Sequence, residues 1–226
     1  MQYELVRSKR KSVAIQIKDG TVTVRAPLKT GIAVIEKFLE SKSTWISRKL
    51  MESERRANIF SDVISGDRFV FLGKDLTVER SNSSRFYLKN DVLYLPSKYF
   101  NGDQLNKSGE LFAALKRVYR KEAKSCLEIR LNEIGEKIGL KHSRFDLTGG
   151  KTKWGSCDSN NFVRLNWHLV MLDQALIDYV IVHELAHTVE HNHSARFWAI
   201  VSKFYPNYKE AIACLKNASV IIGLWC

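Results

Sequence analysis

The spacing of apolar residues changes several times along the chain, and each change predicts a new kind of element. Residues 12–27, "SVAIQIKDGTVTVRAP", alternate, with Val13, Ile15 and Ile17 on one face and Val22 and Val24 following after Asp19-Gly20. A period of two around an Asp-Gly turn predicts a β-hairpin, closed by Pro27. From about Thr30 the apolar positions are Ile32, Ile35, Phe38, Leu39, Trp45, Ile46 and Leu50, which is the 3.6-residue period of one long or two short helices. Residues 67–96 return to short β-branched and aromatic runs, punctuated by Gly73, the polar run Ser81 to Ser84, and Asn90-Asp91. A long amphipathic helix is predicted over 110–138, with Leu111, Leu115, Val118, Leu127, Leu131, Ile134 and Ile138 on its apolar stripe and Gly139 placed to end it. "KWGSCDSNNFVRLNWHLVML", residues 153–172, predicts a hairpin turning at Asp158 to Asn161. Its second strand is expected to alternate through Leu165, Trp167, Leu169 and Met171. Asp173 is then placed to cap a helix.

These elements predict an α+β protein without internal repeats or low-complexity linkers. A β-rich N-terminal region with a helix, residues 1–105, is followed by a helical and hairpin core, residues 106–226. The softest boundary is "NGDQLNKSG", residues 101–109.

Composition adds a compartment and a class of partner. At 226 residues and 45% hydrophobic content the chain can bury a sizeable core. Cys126, Cys157, Cys214 and Cys226 form no CxxC pair, and no apolar leader follows the start "MQYELVRSKRKS", which leads us to expect a reducing, cytoplasmic setting. The apolar "VIIGLW" tail is far below the roughly 20 residues that span a bilayer, so no membrane anchor is expected. The net charge is +12 and unevenly distributed: residues 1–125 carry 25 Lys and Arg against 14 Asp and Glu, while residues 126–226 carry 11 against 10. A basic N-terminal half suits DNA or RNA contact, because cations that neutralise phosphates release counterions. It is equally the composition of a solvated surface, and no base-reading module accompanies it. On the long helix the same two readings apply to Lys116, Arg117, Arg120, Lys121 and Lys124.

Candidate chemistry is concentrated in "VIVHELAHTVEHNHSARFW", residues 180–198, which holds four of the six histidines. His183 and His187 stand at i and i+4, so on a helix they share one face about 6 Å apart along the axis. Two such imidazoles can bind one zinc ion, with Glu184 between them angled toward a water that the metal acidifies. A catalytic zinc site needs a third protein ligand. His191 continues the series to i+8, about 12 Å from His183 on a straight helix, and cannot converge with it. The helix must therefore stop and the chain fold back. Asn192 tolerates the left-handed conformation, Ser194 can cap a following helix, and His193 lies at the mouth of that turn as the third ligand. Of the other candidates, His142 reads as a surface residue, His168 as a possible substrate neighbour, and Cys157 as an inert turn thiol or a redox or metal-binding one.

"TKWGSC", "RLNWHLV", "IDYVIVHELAH" and "NHSARFW", in this order, resemble the YgjP-like zinc metallopeptidases, relatives of the SprT-like and WLM peptidases. "RSKRKSVAIQI", "VRAP", "WISRK" and "FLGK" extend the resemblance over nearly the whole chain. The resemblance implies a zincin-like minimal metallopeptidase core built on a long helix, an edge hairpin and an active-site helix. It implies zinc on His183, His187 and His193, Glu184 as catalytic base, and a protein or peptide substrate. The SprT-like group includes peptidases acting on proteins crosslinked to DNA, which offers a meaning for the basic half by analogy. "RLNWHLV" is expected to pair with an extended substrate, with Trp154, Arg164, Asn166 and His168 as substrate-binding candidates. Tyr205, Tyr208, His168, Lys153 and Arg164 are candidate oxyanion donors. Two rival readings use the same histidines: a metal-dependent endoribonuclease, with which the spacing HxxxHxxxxxH is also compatible, and a non-enzymatic nucleic-acid-binding protein with structural zinc. Glu184 and the "WGSC" hairpin speak against the first, and the lack of a fourth ligand speaks against the second.

Overall fold

The computed structural model describes residues 2–18, 21–59, 61–222, 224 and 225. Helices and small sheets are mixed, and the chain forms two units, residues 1–61 and 62–226. In the first, β1 (Glu4–Ser8), β2 (Ala14–Lys18) and β3 (Thr21–Pro27) are followed by α1 (Ile32–Ser41) and α2 (Ser43–Ile59). The expected hairpin pairs β2 with β3 in antiparallel register, Ile15 opposite Val24 and Ile17 opposite Val22; the expected turn at Asp19-Gly20 lies outside the described residues. The mostly exposed strand β1, absent from the sequence-based expectation, runs parallel to β3. Val22, Val24 and Ala26 pack with Ile35, Leu39 and Ile46 to form this unit's core. Ile32 and Trp45, expected on the apolar stripe, are exposed, because a three-stranded sheet covers only a narrow strip of helix.

The short α3 (Ser61–Ser65) leads to β4 (Val70–Phe71), β5 (Lys74–Asp75), β6 (Thr77–Ser81), β7 (Tyr87–Lys89), β8 (Val92–Pro96), β9 (Phe100–Asn101) and β10 (Gln104–Leu105). These strands lie within the second unit, residues 62–226. Hydrogen bonds explain the grouping: Leu72 N donates to Val170 O (2.6 Å), and the buried Tyr119 hydroxyl donates to Val70 O (3.1 Å). Gly73, at φ +77, passes so close to Asp173 that a Cβ there would collide with Asp173 Oδ1 and lie 2.9 Å from its Cα. The "FLGK" segment is thus fitted against the start of the helix that carries the histidines.

The long helix is α4 (Gly109–Ile138). Ser108 caps it by accepting from Leu111 N, and Gly139, left-handed at φ +71, ends it. After it come β11 (Arg144–Thr148), β12 (Gly155–Cys157), β13 (Phe162–Asn166), α5 (Gln174–Ala186), α6 (Ala195–Phe204) and α7 (Tyr208–Ala218). The hairpin turn is as expected: Asp158 Oδ1 accepts from Asn160 N (3.0 Å) and Phe162 N (3.1 Å), and Asn161 takes a positive φ of 58. The second strand is shorter than expected and ends at Asn166. Residues 167–171 instead form a buried 3-10 turn, whose start is capped by the Asn166 side chain accepting from His168 N. Alternation needs one wet face, and none of these five residues has one.

Three sheets share one topology that the sequence did not reveal as a repeat. In each, the first strand runs parallel to the third, and the second and third form a hairpin: β1-β3-β2, β6-β8-β7 and β11-β13-β12. In the last, β13 is central and β12 lies at an edge. No helix among the described residues is long and apolar enough to cross a membrane.

Candidate metal centre

Helix α5 buries Ile177, Tyr179 to Val182, Leu185 and Ala186, so burial fixes its rotation and determines where His183, Glu184 and His187 point. Asp173 occupies the expected capping position without a side-chain hydrogen bond. The helix ends at Ala186 with His187 as its C-cap, before His191 as expected, but Asn192 does not adopt a positive φ. Consecutive turns reverse the chain instead: Thr188 N donates to Leu185 O, Val189 N and Glu190 N to Ala186 O. Ser194 then caps α6 by accepting from Phe197 N (3.3 Å).

This reversal brings His193 beside His183, their Nε2 atoms 3.1 Å apart. One ring nitrogen from each of His183, His187 and His193 lies within 4.8 Å of the others. Ligands at 2.0–2.1 Å in a tetrahedron are separated by roughly 3.3 Å, so the three histidines fit one small cation after minor side-chain adjustment. The outward nitrogens support the fit. His187 Nδ1 lies 3.0 Å from Glu190 O; a carbonyl only accepts, so the proton sits on Nδ1 and Nε2 keeps a free lone pair. His183 Nδ1 faces the Tyr179 hydroxyl at 3.4 Å, which leaves its Nε2 turned toward His193. Burial, and then the neighbouring histidines, push His183 down to about 3 and lower His187 as well. Both rings are therefore neutral, which is the form that binds a metal. The Phe197 ring lies 4.9, 4.4 and 4.7 Å from His183, His187 and His193 and forms an apolar floor beneath them. His191 lines the cleft without joining the cluster.

Glu184 is only 5% exposed, and among the described residues nothing donates a hydrogen bond to its carboxylate. Burial raises its pKa to about 8, while the positive charge of Lys153 acts the other way. A divalent cation on the histidines acts in the same direction as Lys153, toward the carboxylate. Gly155 of β12 makes room for this side chain: a Cβ on Gly155 would lie 2.6 Å from Glu184 Oε1. The cleft, of about 400 Å³, runs between β12 with the preceding Lys153 and Trp154 on one side, and Tyr179, Val180 and the histidines on the other, with Leu215 of α7 also at its wall. Cys157 lines it too, but burial, with the Glu184 charge second, pushes its thiol up to about 11 and keeps it protonated.

Of the residues expected to contact substrate, Trp154 lines the cleft and three do not. His168 is fully buried, its Nδ1 2.7 Å from Asn166 Oδ1 and its Nε2 2.9 Å from Leu224 O. Asn166 is also buried and holds the preceding loop, donating from Nδ2 to Gly150 O (2.8 Å) and Lys153 O (2.9 Å). Arg164 lies over the Phe162 ring and pairs with Asp158 (3.2 Å). Among the oxyanion candidates, the Tyr205 hydroxyl donates to Ala175 O (2.9 Å) and Tyr208 stacks on Trp198; Lys153 is the candidate that reaches the cleft. Tyr179, Phe197 and the closeness of Gly155 to Glu184 were not anticipated. Tyr179 precedes His183 by one helical repeat of four, a signal available in the sequence; the other two depend on packing between distant segments.

A buried carboxylate with no hydrogen-bond donor among the described residues, beside three converging imidazoles in a cleft bordered by a strand edge, is the arrangement of a metal-dependent hydrolase. The model of the YgjP-like family, described as "YgjP-like, metallopeptidase domain", matches residues 11–218. The chain belongs to the YgjP-like family, and it is a metallopeptidase; that membership decides against the endoribonuclease and structural-zinc readings. Among solved structures it is similar to the metallopeptidase zymogen of Pyrococcus abyssi abylysin, at 22% identity and a TM-score of 0.37 over 39% of this chain and 90% of that one. It is similar also to the zymogen of Methanocaldococcus jannaschii jannalysin, at 23% and 0.37 over 41% and 95%. No curated protein matches.

Proposed function

We propose that residues 106–226 form a zincin-like catalytic core that hydrolyses peptide bonds with zinc held by His183, His187 and His193 and with Glu184 as the base. The observation that carries this reading is the convergence of three imidazoles beside a buried carboxylate without a hydrogen-bond donor among the described residues. Three nitrogen ligands with room for a fourth suit zinc. Bound there, zinc supplies a Lewis acid for the scissile carbonyl and lowers the pKa of a water to about 7. Glu184 takes the proton from the attacking water and returns it to the leaving nitrogen. Tyr179 and the Glu190 carbonyl hold His183 and His187 with Nε2 inward. The substrate strand pairs with the free edge of β12 rather than with "RLNWHLV", because β13 is flanked on both sides.

The compartment is the cytoplasm, consistent with the free thiols of Cys126, Cys157 and Cys214. Nucleic-acid-associated proteins are the proposed targets, and Lys116, Arg117, Arg120 and Lys121 of α4, none of them ion-paired among the described residues, are the proposed phosphate contacts. The test is a metal assay paired with cleavage of a peptide and of a DNA-bound protein, with and without DNA, by wild type and Glu184→Gln. About one zinc per chain is expected in both, with hydrolysis by wild type alone. Equal cleavage by the variant rules out the assigned base.

A further inference from the structure

Lys153 is the one Lys or Arg side chain among the described residues lining the cleft, and it is exposed. Among those residues its ammonium has no ion pair and no hydrogen bond. Its charge is felt inside, since it acts on the buried Glu184. The backbone that carries it is fixed. The buried Asn166 side chain donates to Lys153 O (2.9 Å) and Gly150 O (2.8 Å), and Asn166 N donates to Trp154 O (2.7 Å). The end of β13 thereby clamps the loop that carries the cation to the start of the edge strand. Glu184 cannot serve as a permanent partner for Lys153 if it is to accept protons, and the facing wall, Tyr179, Val180 and Leu215, offers no anion.

We propose that Lys153 is a specificity residue that selects substrates presenting a carboxylate next to the scissile bond, either on an acidic side chain or as the peptide's own C-terminus. The exposed ammonium is open to such a partner, and a substrate strand laid along β12 would cover the pair from water and strengthen it. Lying just ahead of β12, it meets the substrate strand at one end of the paired segment. The inference rests on the proposed peptidase reading, and its two arms separate the failure of one from the failure of the other.

The first arm is kinetic and uses zinc-loaded wild type, Lys153→Gln and Lys153→Glu. Peptides differ only in Glu or Gln on either side of the cleaved bond, with amidated ends, and a second pair differs only in a free or amidated C-terminus. Wild type is expected to favour the carboxylate peptide by about ten-fold in kcat/KM, mostly through KM. Lys153→Gln brings the ratio to about one, and Lys153→Glu inverts it. Which pair shows the preference identifies the carboxylate's source. A wild-type ratio near one, or a ratio unchanged in Lys153→Gln, overturns the proposal; so does an equal loss on every peptide, which is the signature of an oxyanion donor.

The second arm needs no turnover. Calorimetric binding of the same peptides to zinc-loaded Glu184→Gln should show the acid preference, and adding Lys153→Gln should remove it. If wild type cleaves no peptide, the peptidase reading fails, while this arm still decides on the carboxylate site; absence of any acid preference there overturns it.

Discussion

Replacing Gly155 with alanine tests how closely the edge strand controls Glu184, the proposed catalytic base. The added Cβ would stand 2.6 Å from Oε1, 2.7 Å from Cγ and 2.8 Å from Cδ of Glu184. Non-bonded carbons settle at about 3.5–4.0 Å, so the overlap is roughly 1 Å and involves the whole end of the side chain. Glu184 is 5% exposed and rooted in the buried helix α5, so either its carboxylate swings away or β12 moves outward. A displacement of about 1 Å in a catalytic group costs on the order of 100-fold, or ~2.7 kcal/mol of barrier. Gly155→Ala is therefore expected to lower kcat by about two orders of magnitude with zinc content retained. Overpacking should also cost about 1–3 kcal/mol of stability, read as a Tm lower by a few degrees. The decisive assay is a double-mutant cycle of thermal stability with Glu184→Ala, which removes the atoms in conflict. In that background Gly155→Ala should lose most of its destabilising effect. Full activity in the single variant, or the same loss of Tm in both backgrounds, would refute the assignment of Gly155 as the residue that positions Glu184.

Two further outcomes follow from the same geometry. Tyr179→Phe removes the hydroxyl facing His183 Nδ1, which burial keeps protonated with a pKa of about 12; zinc affinity in chelator competition should fall about 10–100-fold, and an unchanged affinity would show that Tyr179 merely packs. Burial pushes His168 down to about 4, against the opposing pull of the Leu224 carbonyl. Because the folded value lies below the unfolded 6.5, His168 contributes stability above pH 6.5 that is lost as pH falls toward 4, about 3 kcal/mol at most. The stability difference between wild type and His168→Gln should shrink over that window; a difference that persists to pH 4 would mean instead that the ring is charged and donates to both oxygens it faces, Asn166 Oδ1 and Leu224 O.

Much of the local structure was legible because it depends on neighbours in sequence. The 3.6-residue stripe from Leu111 to Ile138, ended by Gly139, placed a helix over 110–138 where α4 runs from Gly109 to Ile138; the Ser108 cap was not read. The turn at Asp158 to Asn161 was readable because Asp158 bonds backbone only two and four residues away. The histidine cluster was readable for a related reason: i, i+4 spacing places two histidines, helix geometry excludes His191, and Ser194 marks where the chain resumes as helix. Family resemblance pointed to the same three histidines.

The substrate side was not legible in the same way. Arg164, Asn166 and His168 were expected at the cleft because a strand through residue 171 would have carried them there. In the folded protein the strand stops at Asn166, whose side chain is used for capping and for holding the loop at Lys153. Sequence by itself determined the helices, the hairpins and the histidine spacing, all set by hydrogen bonds and periodicity within a few residues. The tertiary structure alone decided that Gly155 lies against Glu184, that Phe197 supports three imidazoles contributed by two segments, and that Lys153 is the cation at the cleft. Those are contacts between residues up to 29 positions apart, and close packing, which no short window of sequence encodes, selects among the many partners each residue might meet.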